Sequence, residues 1–355
     1  MGGENQGVCE TKTNRCNEGW RLYPVDQLPL FCRFPLPQSL QVQLSRKENT
    51  PLAKVCQEQH VFTKFNPMSV VLITGCSSGF GMLAAARLAS GGHTVYATMR
   101  NLDKKGDLLV ESTQRGGEVR ILELDVTEDA STVSAMEQIE RDEGRLDVLI
   151  NNAGYAIGGF FEDLSEQEIR DQMETNFFGV QKVIRAALPL MRKTATEDNC
   201  RTKILNISSV SGRSSFPGLG AYGASKFALE GFSESLYHEL LPFGIDVVLI
   251  EPGSYRTKIF TENAHKAQKS EDPASPYFKH THAFRDQLRR MIKSKSEMGD
   301  PEDVAALIER VVNTKKPKLR YLIGRQARLR LIIRALFPDR TFSSMMHKRI
   351  FGELD

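Results

Sequence analysis

Tyr222 and Lys226 stand four residues apart in Tyr222-Gly223-Ala224-Ser225-Lys226, and Ser209 precedes the tyrosine by 13 residues. A separation of four puts two side chains on one helical face, so the ammonium can sit beneath the phenol. A free phenol titrates near ~10 and is a sluggish proton carrier at neutral pH. A neighbouring cation favours phenolate, so Lys226 is expected to pull Tyr222 toward working pH. Ser209, in Asn206-Ile207-Ser208-Ser209, can donate to an oxyanion that develops on a substrate. Such a set moves a proton to or from the oxygen of a carbonyl or an alcohol, the step that accompanies hydride transfer.

A hydride carrier needs its own cradle. Thr74-Gly75-Cys76-Ser77-Ser78-Gly79-Phe80-Gly81 follows an apolar run, Val70–Ile73, and precedes a helical segment at 81–89. Glycines there let the chain turn sharply and bring main-chain N–H groups to a pyrophosphate at a positive helix N-terminus. The spacing is G-x-x-x-G-x-G, not the more common G-x-G-x-x-G; a merely tight β–α turn is the plainer reading. The end of the second strand selects the cofactor. An acid there accepts from a ribose 2′-hydroxyl, whereas a basic residue accommodates a 2′-phosphate. The chain reads Val95-Tyr96-Ala97-Thr98-Met99-Arg100, with no acid before Asp103. Arg100 can grip a phosphate with its guanidinium fork, which favours NADP(H) over NAD(H); a solvated surface arginine is the alternative.

These residues require a scaffold, and the sequence supplies one from Ser69 onward. Short apolar runs at 70–73, 94–98, 119–124, 147–150, 203–207, 246–250 and 320–323 alternate with helical segments at 81–89, 130–141, 177–191, 225–241 and 301–312. Alternating strands and helices imply a parallel sheet covered on both faces, with right-handed crossovers. The expected fold is a single doubly wound, Rossmann-type α/β domain of about seven strands. A catalytic body at 68–314 carries a long polar insertion at about 254–300, a length typical of functional lids. Residues 1–67, with four prolines between positions 24 and 37, are expected to form an irregular arm.

In these motifs and their order the chain resembles the short-chain dehydrogenase/reductase family, and more narrowly its 17β-hydroxysteroid dehydrogenase type 1 and photoreceptor retinol dehydrogenase branch. The likeness rests on TGCSSGFG at 74–81, VYATMR at 95–100, NNAG at 151–154, Ser209, Tyr222 with Lys226, and SKFALEG at 225–231. It implies Asn176 as a fourth catalytic member, holding a water in a relay through Lys226. It also implies cofactor contacts from Ser77, Ser78, Arg100, Asp125, Val126, Asn152, Ala153 and Gly154, and from Pro252, Gly253 and Thr257 over the nicotinamide. A hydrophobic small-molecule substrate, steroid- or retinoid-like, follows from the resemblance only; 265–295 carries no recognisable steroid-site pattern. Reduction of other small or lipid carbonyls, and a non-catalytic NADP-sensing scaffold, are the rival readings.

The 355 residues, 40% hydrophobic and 26% charged, suit a soluble globular chain and exclude a collagen-like or disordered one. No apolar run approaches a membrane span, and neither a secretory signal nor a myristoylation pattern is recognisable at Met1, so a cytoplasmic location is expected. Cys9, Cys16, Cys32 and Cys56 lack zinc-site spacing and read as reduced thiols. His280 and His282 lack acidic or cysteine partners, so no metal site is expected. The Asn206 sequon falls on a strand end expected to be buried. The net charge of +3 conceals a segregation: residues 315–355 carry 11 basic and 3 acidic groups. Within them, Leu329, Ile332, Ile333 and Leu336 share a face at 325–337. That face packs on the domain edge or a second subunit, as in a homodimer, or lies peripherally on an anionic membrane surface. No nucleic-acid-binding module is recognisable.

Overall fold

The computed structural model describes residues 68–257, 264–293 and 298–351. The N-terminal arm expected at 1–67, with its four cysteines, lies outside the described residues.

The chain begins β1 (Val70–Ile73), α1 (Gly79–Ser90), β2 (Thr94–Met99), α2 (Gly106–Gln114), β3 (Val119–Glu123), α3 (Asp129–Glu143) and β4 (Val148–Asn151). It continues through β5 (Ala156–Gly158), α4 (Glu166–Met173), α5 (Gly179–Glu197), β6 (Thr202–Ile207), α6 (Gly220–Leu240) and β7 (Ile245–Pro252). Then come β8 (Ala264–Lys266), α7 (Phe278–Lys293), α8 (Pro301–Val312), β9 (Arg320–Ile323), α9 (Arg325–Leu336) and α10 (Asp339–Phe351). Seven strands form one parallel sheet in the order β3-β2-β1-β4-β6-β7-β9. The order reverses between β1 and β4, so the crevice for a ligand lies at the carboxyl ends of those two strands.

Both faces of the sheet are buried, which is why the strands are apolar on consecutive residues instead of alternating. Val71, Ile73 and Ile150 pack against Ala84 and Leu88 of α1 and Ile308 of α8. Leu72, Leu149 and Ile204 face the other way, toward Ile139 of α3, Val183 of α5 and Leu229 of α6. Each such side chain, fully buried, contributes about 1.5–3 kcal/mol. Arg320 on the edge strand β9 ties the sheet to α6: it meets Glu230 at 3.0 Å, Glu234 at 2.7 Å and Glu251 at 3.4 Å.

The polar insertion is not structureless. Its β8 pairs in parallel with β5, Ala156 opposite Ala264 and Gly158 opposite Lys266, and α7 follows. Nothing in the local pattern of either three-residue strand marks it as one, because the pairing is long-range. Helix α4 carries a readable signal: the Glu168 N–H donates to Ser165 Oγ at 3.2 Å while the Ser165 N–H donates to Glu168 Oε2 at 2.7 Å. This reciprocal capping box fixes the helix start. Between α4 and α5 the helix widens into a π turn, Glu174–Phe178. Such turns concentrate at functional positions, and this one carries Asn176.

Candidate active site

The crevice is built first from the loop after β1. Gly75 and Gly79 adopt φ of +73° and +62°, conformations that favour glycine. A Cβ on Gly75 would lie 2.7 Å from the Ala153 Cα, so loop and β4 end approach without a side chain between them. Thr74 locks the two together: its Oγ1 accepts from the Asn152 and Ala153 N–H groups, each at 3.0 Å. Asn152 Nδ2 in turn donates to the Thr74 and Gly75 carbonyls, each at 2.9 Å. Ser78 caps α1 without turning its hydroxyl onto the helix's own N–H groups, and the first turn holds no acid. That helix end suits an anionic ligand. Burial pushes the Cys76 thiol in this loop up to about 12, which removes it from nucleophilic chemistry.

Arg100 follows β2 and is exposed at the rim of the cavity, with Lys104 beside it in the lining. Asp125 follows β3; its Oδ1 accepts from the Thr127 N–H at 2.9 Å and the Thr127 hydroxyl at 2.8 Å. Val126 packs where Gly179 leaves room, since a Cβ on Gly179 would meet it at 2.8 Å.

Ser209 ends the loop after β6, and its Oγ accepts from the Ser211 N–H at 3.1 Å. Tyr222 and Lys226 sit in the first two turns of α6. Burial pushes the Tyr222 phenol above its ordinary range, and its hydrogen bond with Ser209 offsets only part of that. The downward pull expected from Lys226 is not among the causes of this shift. The Lys226 Nζ lies 5.8 Å from the Tyr222 ring centroid and donates to the Ile207 carbonyl at 2.8 Å. Burial lowers Lys226 to about 8, opposed by the carboxylate of Glu230 one turn further on.

One cavity of about 840 Å³ joins these elements. It is lined by Gly75, Ser77, Ser78, Gly79, Phe80, Arg100, Asp125, Val126, Asn152, Ala153 and Gly154, and by Ser209, Tyr222, Lys226, Pro252, Gly253 and Thr257. Two expected site residues do not line it. Gly81 lies inside α1, where a Cβ would stand 2.6 Å from the Gly75 carbonyl; it permits helix and loop to pack and offers no surface to a ligand. Asn176 is buried behind the cavity wall. Its Oδ1 accepts from the Tyr155 N–H at 3.1 Å, and its Nδ2 donates to the Tyr155 carbonyl at 3.0 Å and Ser225 Oγ at 3.1 Å. Through these bonds Asn176 ties the β4–β5 connection to the helix of Tyr222.

Sequence reading did not assign to the cavity the apolar lining of Phe216, Phe284, Leu329, Ile333, Phe342 and Met345. These come from four separate segments that only tertiary packing assembles. Arg330 was equally illegible. It is buried on α9, stacks over the Phe216 ring at 3.3 Å and donates to Ser214 Oγ at 3.1 Å and the Ser215 carbonyl at 2.7 Å.

The sequence profile described as short chain dehydrogenase matches residues 69–268. The chain belongs to the short-chain dehydrogenase family. Among similar proteins of known name, a 3-ketodihydrosphingosine reductase from Bacteroides thetaiotaomicron is 41% identical over 258 residues, covering 72% of this chain and 87% of that protein. The human 17-beta-hydroxysteroid dehydrogenase type 1 is 33% identical over 297 residues, covering 81% and 87% respectively. A solved short-chain dehydrogenase from Streptomyces avermitilis superposes with a TM-score of 0.64 at 36% identity, covering 79% of this chain and 97% of that one. This short-chain dehydrogenase is thus an oxidoreductase with the parallel seven-stranded sheet of its family, a family that uses nicotinamide cofactors.

Proposed function

We propose that the protein interconverts a hydrophobic ketone or aldehyde and the corresponding alcohol with NADP(H). The observation that carries this reading is the convergence of Ser209, Tyr222 and Lys226 on one cavity whose lining also holds the apolar side chains of Phe216, Phe284, Leu329, Ile333 and Phe342. The glycine-rich turn, the acid-free start of α1 and Arg100 at the rim suit a phosphorylated dinucleotide. When bound, that cofactor supplies or takes the hydride.

The chain's own residues handle the proton. Tyr222, kept as a phenol by burial, donates to the carbonyl oxygen in reduction and takes the proton back in oxidation. Ser209 orients the same oxygen through its hydroxyl. Lys226, anchored on the Ile207 carbonyl, holds positive charge near the phenol and favours phenolate once the proton has left. Phe216, Phe284 and Leu329 in the lining favour an apolar substrate body. The named relatives, one called a 3-ketodihydrosphingosine reductase and one a 17-beta-hydroxysteroid dehydrogenase, are consistent with that class.

NADPH consumption across steroid, retinoid and long-chain ketone substrates tests the reading. Turnover of at least one is expected. Tyr222→Phe should abolish it while NADPH binding, followed by fluorescence, persists; unchanged turnover in that variant would refute the mechanism.

A further inference from the structure

Helix α9 presents its apolar face outward. Ala327 and Arg330 form its buried side, whereas Leu329, Ile332 and Leu336 are 51%, 55% and 72% exposed, and Phe337 after them is exposed too. The apolar ridge thus faces away from the domain. Spacing of three and four places Arg325 and Arg328, both exposed, along the same side. Leu329 and Met345 are at once exposed and part of the cavity lining, so the ridge borders the cavity mouth.

We propose that the outer face of α9, with the adjoining part of α10, docks onto an anionic phospholipid bilayer. The ridge supplies apolar area to enter the acyl boundary, and the arginines meet the headgroup phosphates. Charge selects this occupant over a second copy of the chain. Among the described residues of α9 and α10 the exposed charges are Arg325, Arg328, Arg334, Arg340 and Lys348 against Asp339 alone, and two such faces brought together would repel each other. Among the described residues no helix is long and apolar enough to cross a membrane, so the contact lies along the surface. Docking in this orientation presses the cavity mouth against lipid. A substrate would then pass from the bilayer to Tyr222 without crossing water, a consequence that rests on the proposed function, whereas the docking itself does not.

Sedimentation of the full chain with phosphatidylcholine vesicles, with and without phosphatidylserine, tests the proposal. Binding is expected only with phosphatidylserine present and should weaken as salt is raised. Arg325→Ser with Arg328→Ser should lower the partition coefficient roughly thirtyfold, from the usual worth of two basic residues near an anionic surface. Ile332→Ser with Leu336→Ser, neither residue lining the cavity, should abolish binding while turnover of a water-soluble carbonyl and the unfolding midpoint stay unchanged. Equal sedimentation with both vesicle types would overturn the proposal. So would a dimer in analytical ultracentrifugation that the Ile332→Ser and Leu336→Ser changes dissociate. Loss of turnover in Tyr222→Phe with vesicle binding intact keeps the docking and catalytic readings separable.

Discussion

Replacing Arg100 with Asp inverts one charge at the cavity rim, and its effect can be worked out from position. The side chain is exposed, so the change breaks no buried contact and stability should hold. A guanidinium about 4 Å from a phosphate charge contributes about 1 kcal/mol at the dielectric of water and about 4 kcal/mol at an effective value near 20. A rim position lies between these, near about 2 kcal/mol, which corresponds to roughly thirtyfold in affinity. Putting a carboxylate there adds repulsion of similar size, partly relieved by Lys104 beside it. NADPH binding should therefore weaken by about a hundredfold or more. NADH has no 2′-phosphate to repel, and its ribose hydroxyl can donate to the new carboxylate for about 1 kcal/mol, some fivefold. Steady-state kcat/KM with each cofactor, at about 0.1 M salt where exposed charges still interact over about 10 Å, measures the ratio. A preference unchanged within about fivefold would show that Arg100 is a solvated bystander and that the phosphate is held elsewhere.

The remaining expectations concern proton supply and the glycine turn. Burial lowers Lys226 to about 8, so its ammonium form is lost as pH rises through that value. Reduction, which consumes the proton, should decline above pH 8. Because the Glu230 carboxylate opposes the lowering, Glu230→Gln should move the falling limb of reduction to lower pH; an unmoved limb would assign the titration to another group. Gly75→Ala forces a left-handed residue, costing about 1–2 kcal/mol, and overlaps Ala153, costing about 1–3 kcal/mol. Urea unfolding should report a loss of about 2–5 kcal/mol from these two terms together. Gly231→Ala, inside α6 with nothing within 4 Å of the added carbon, should instead stabilise by about 0.5–1 kcal/mol. Similar shifts in both variants would show that the close approach at Gly75 does not matter.

What could be read without coordinates is what local chemistry dictates. Tyr222 and Lys226 lie on one turn because four residues make one turn. The strands could be located because a sheet buried on both faces must be apolar on successive residues. Gly81 lies outside the cavity lining, and a glycine that admits a ligand and one that admits a neighbouring carbonyl look alike in sequence. Asn176 could be placed on its helix but not given its partners, since Tyr155 and Ser225 reach it from other elements. On α9 the alternatives stayed open. Leu329, Ile332 and Leu336 form an amphipathic stripe, and pattern alone cannot say whether such a stripe faces the core. Arg330 takes the inner side because the Ser214 and Ser215 acceptors and the Phe216 ring satisfy its charge there. Ser165 and Glu168 carry the spacing of a capping box, and the backbone uses it to start α4.

The ion pairs of Arg320 bear on where the chain can be cut or joined. Charge changes sign near residue 315, which invites treating everything after it as an optional basic tail. Yet Arg320 closes the sheet edge and grips Glu230, one turn beyond Lys226 on the same helix. Removing it would leave Glu230 and Glu251, both buried, short of a countercharge beside the reacting groups. The smallest separable unit therefore runs through β9. A shortened or fused version that respects composition and ignores this arginine would keep every catalytic side chain and lose the electrostatic balance they work in.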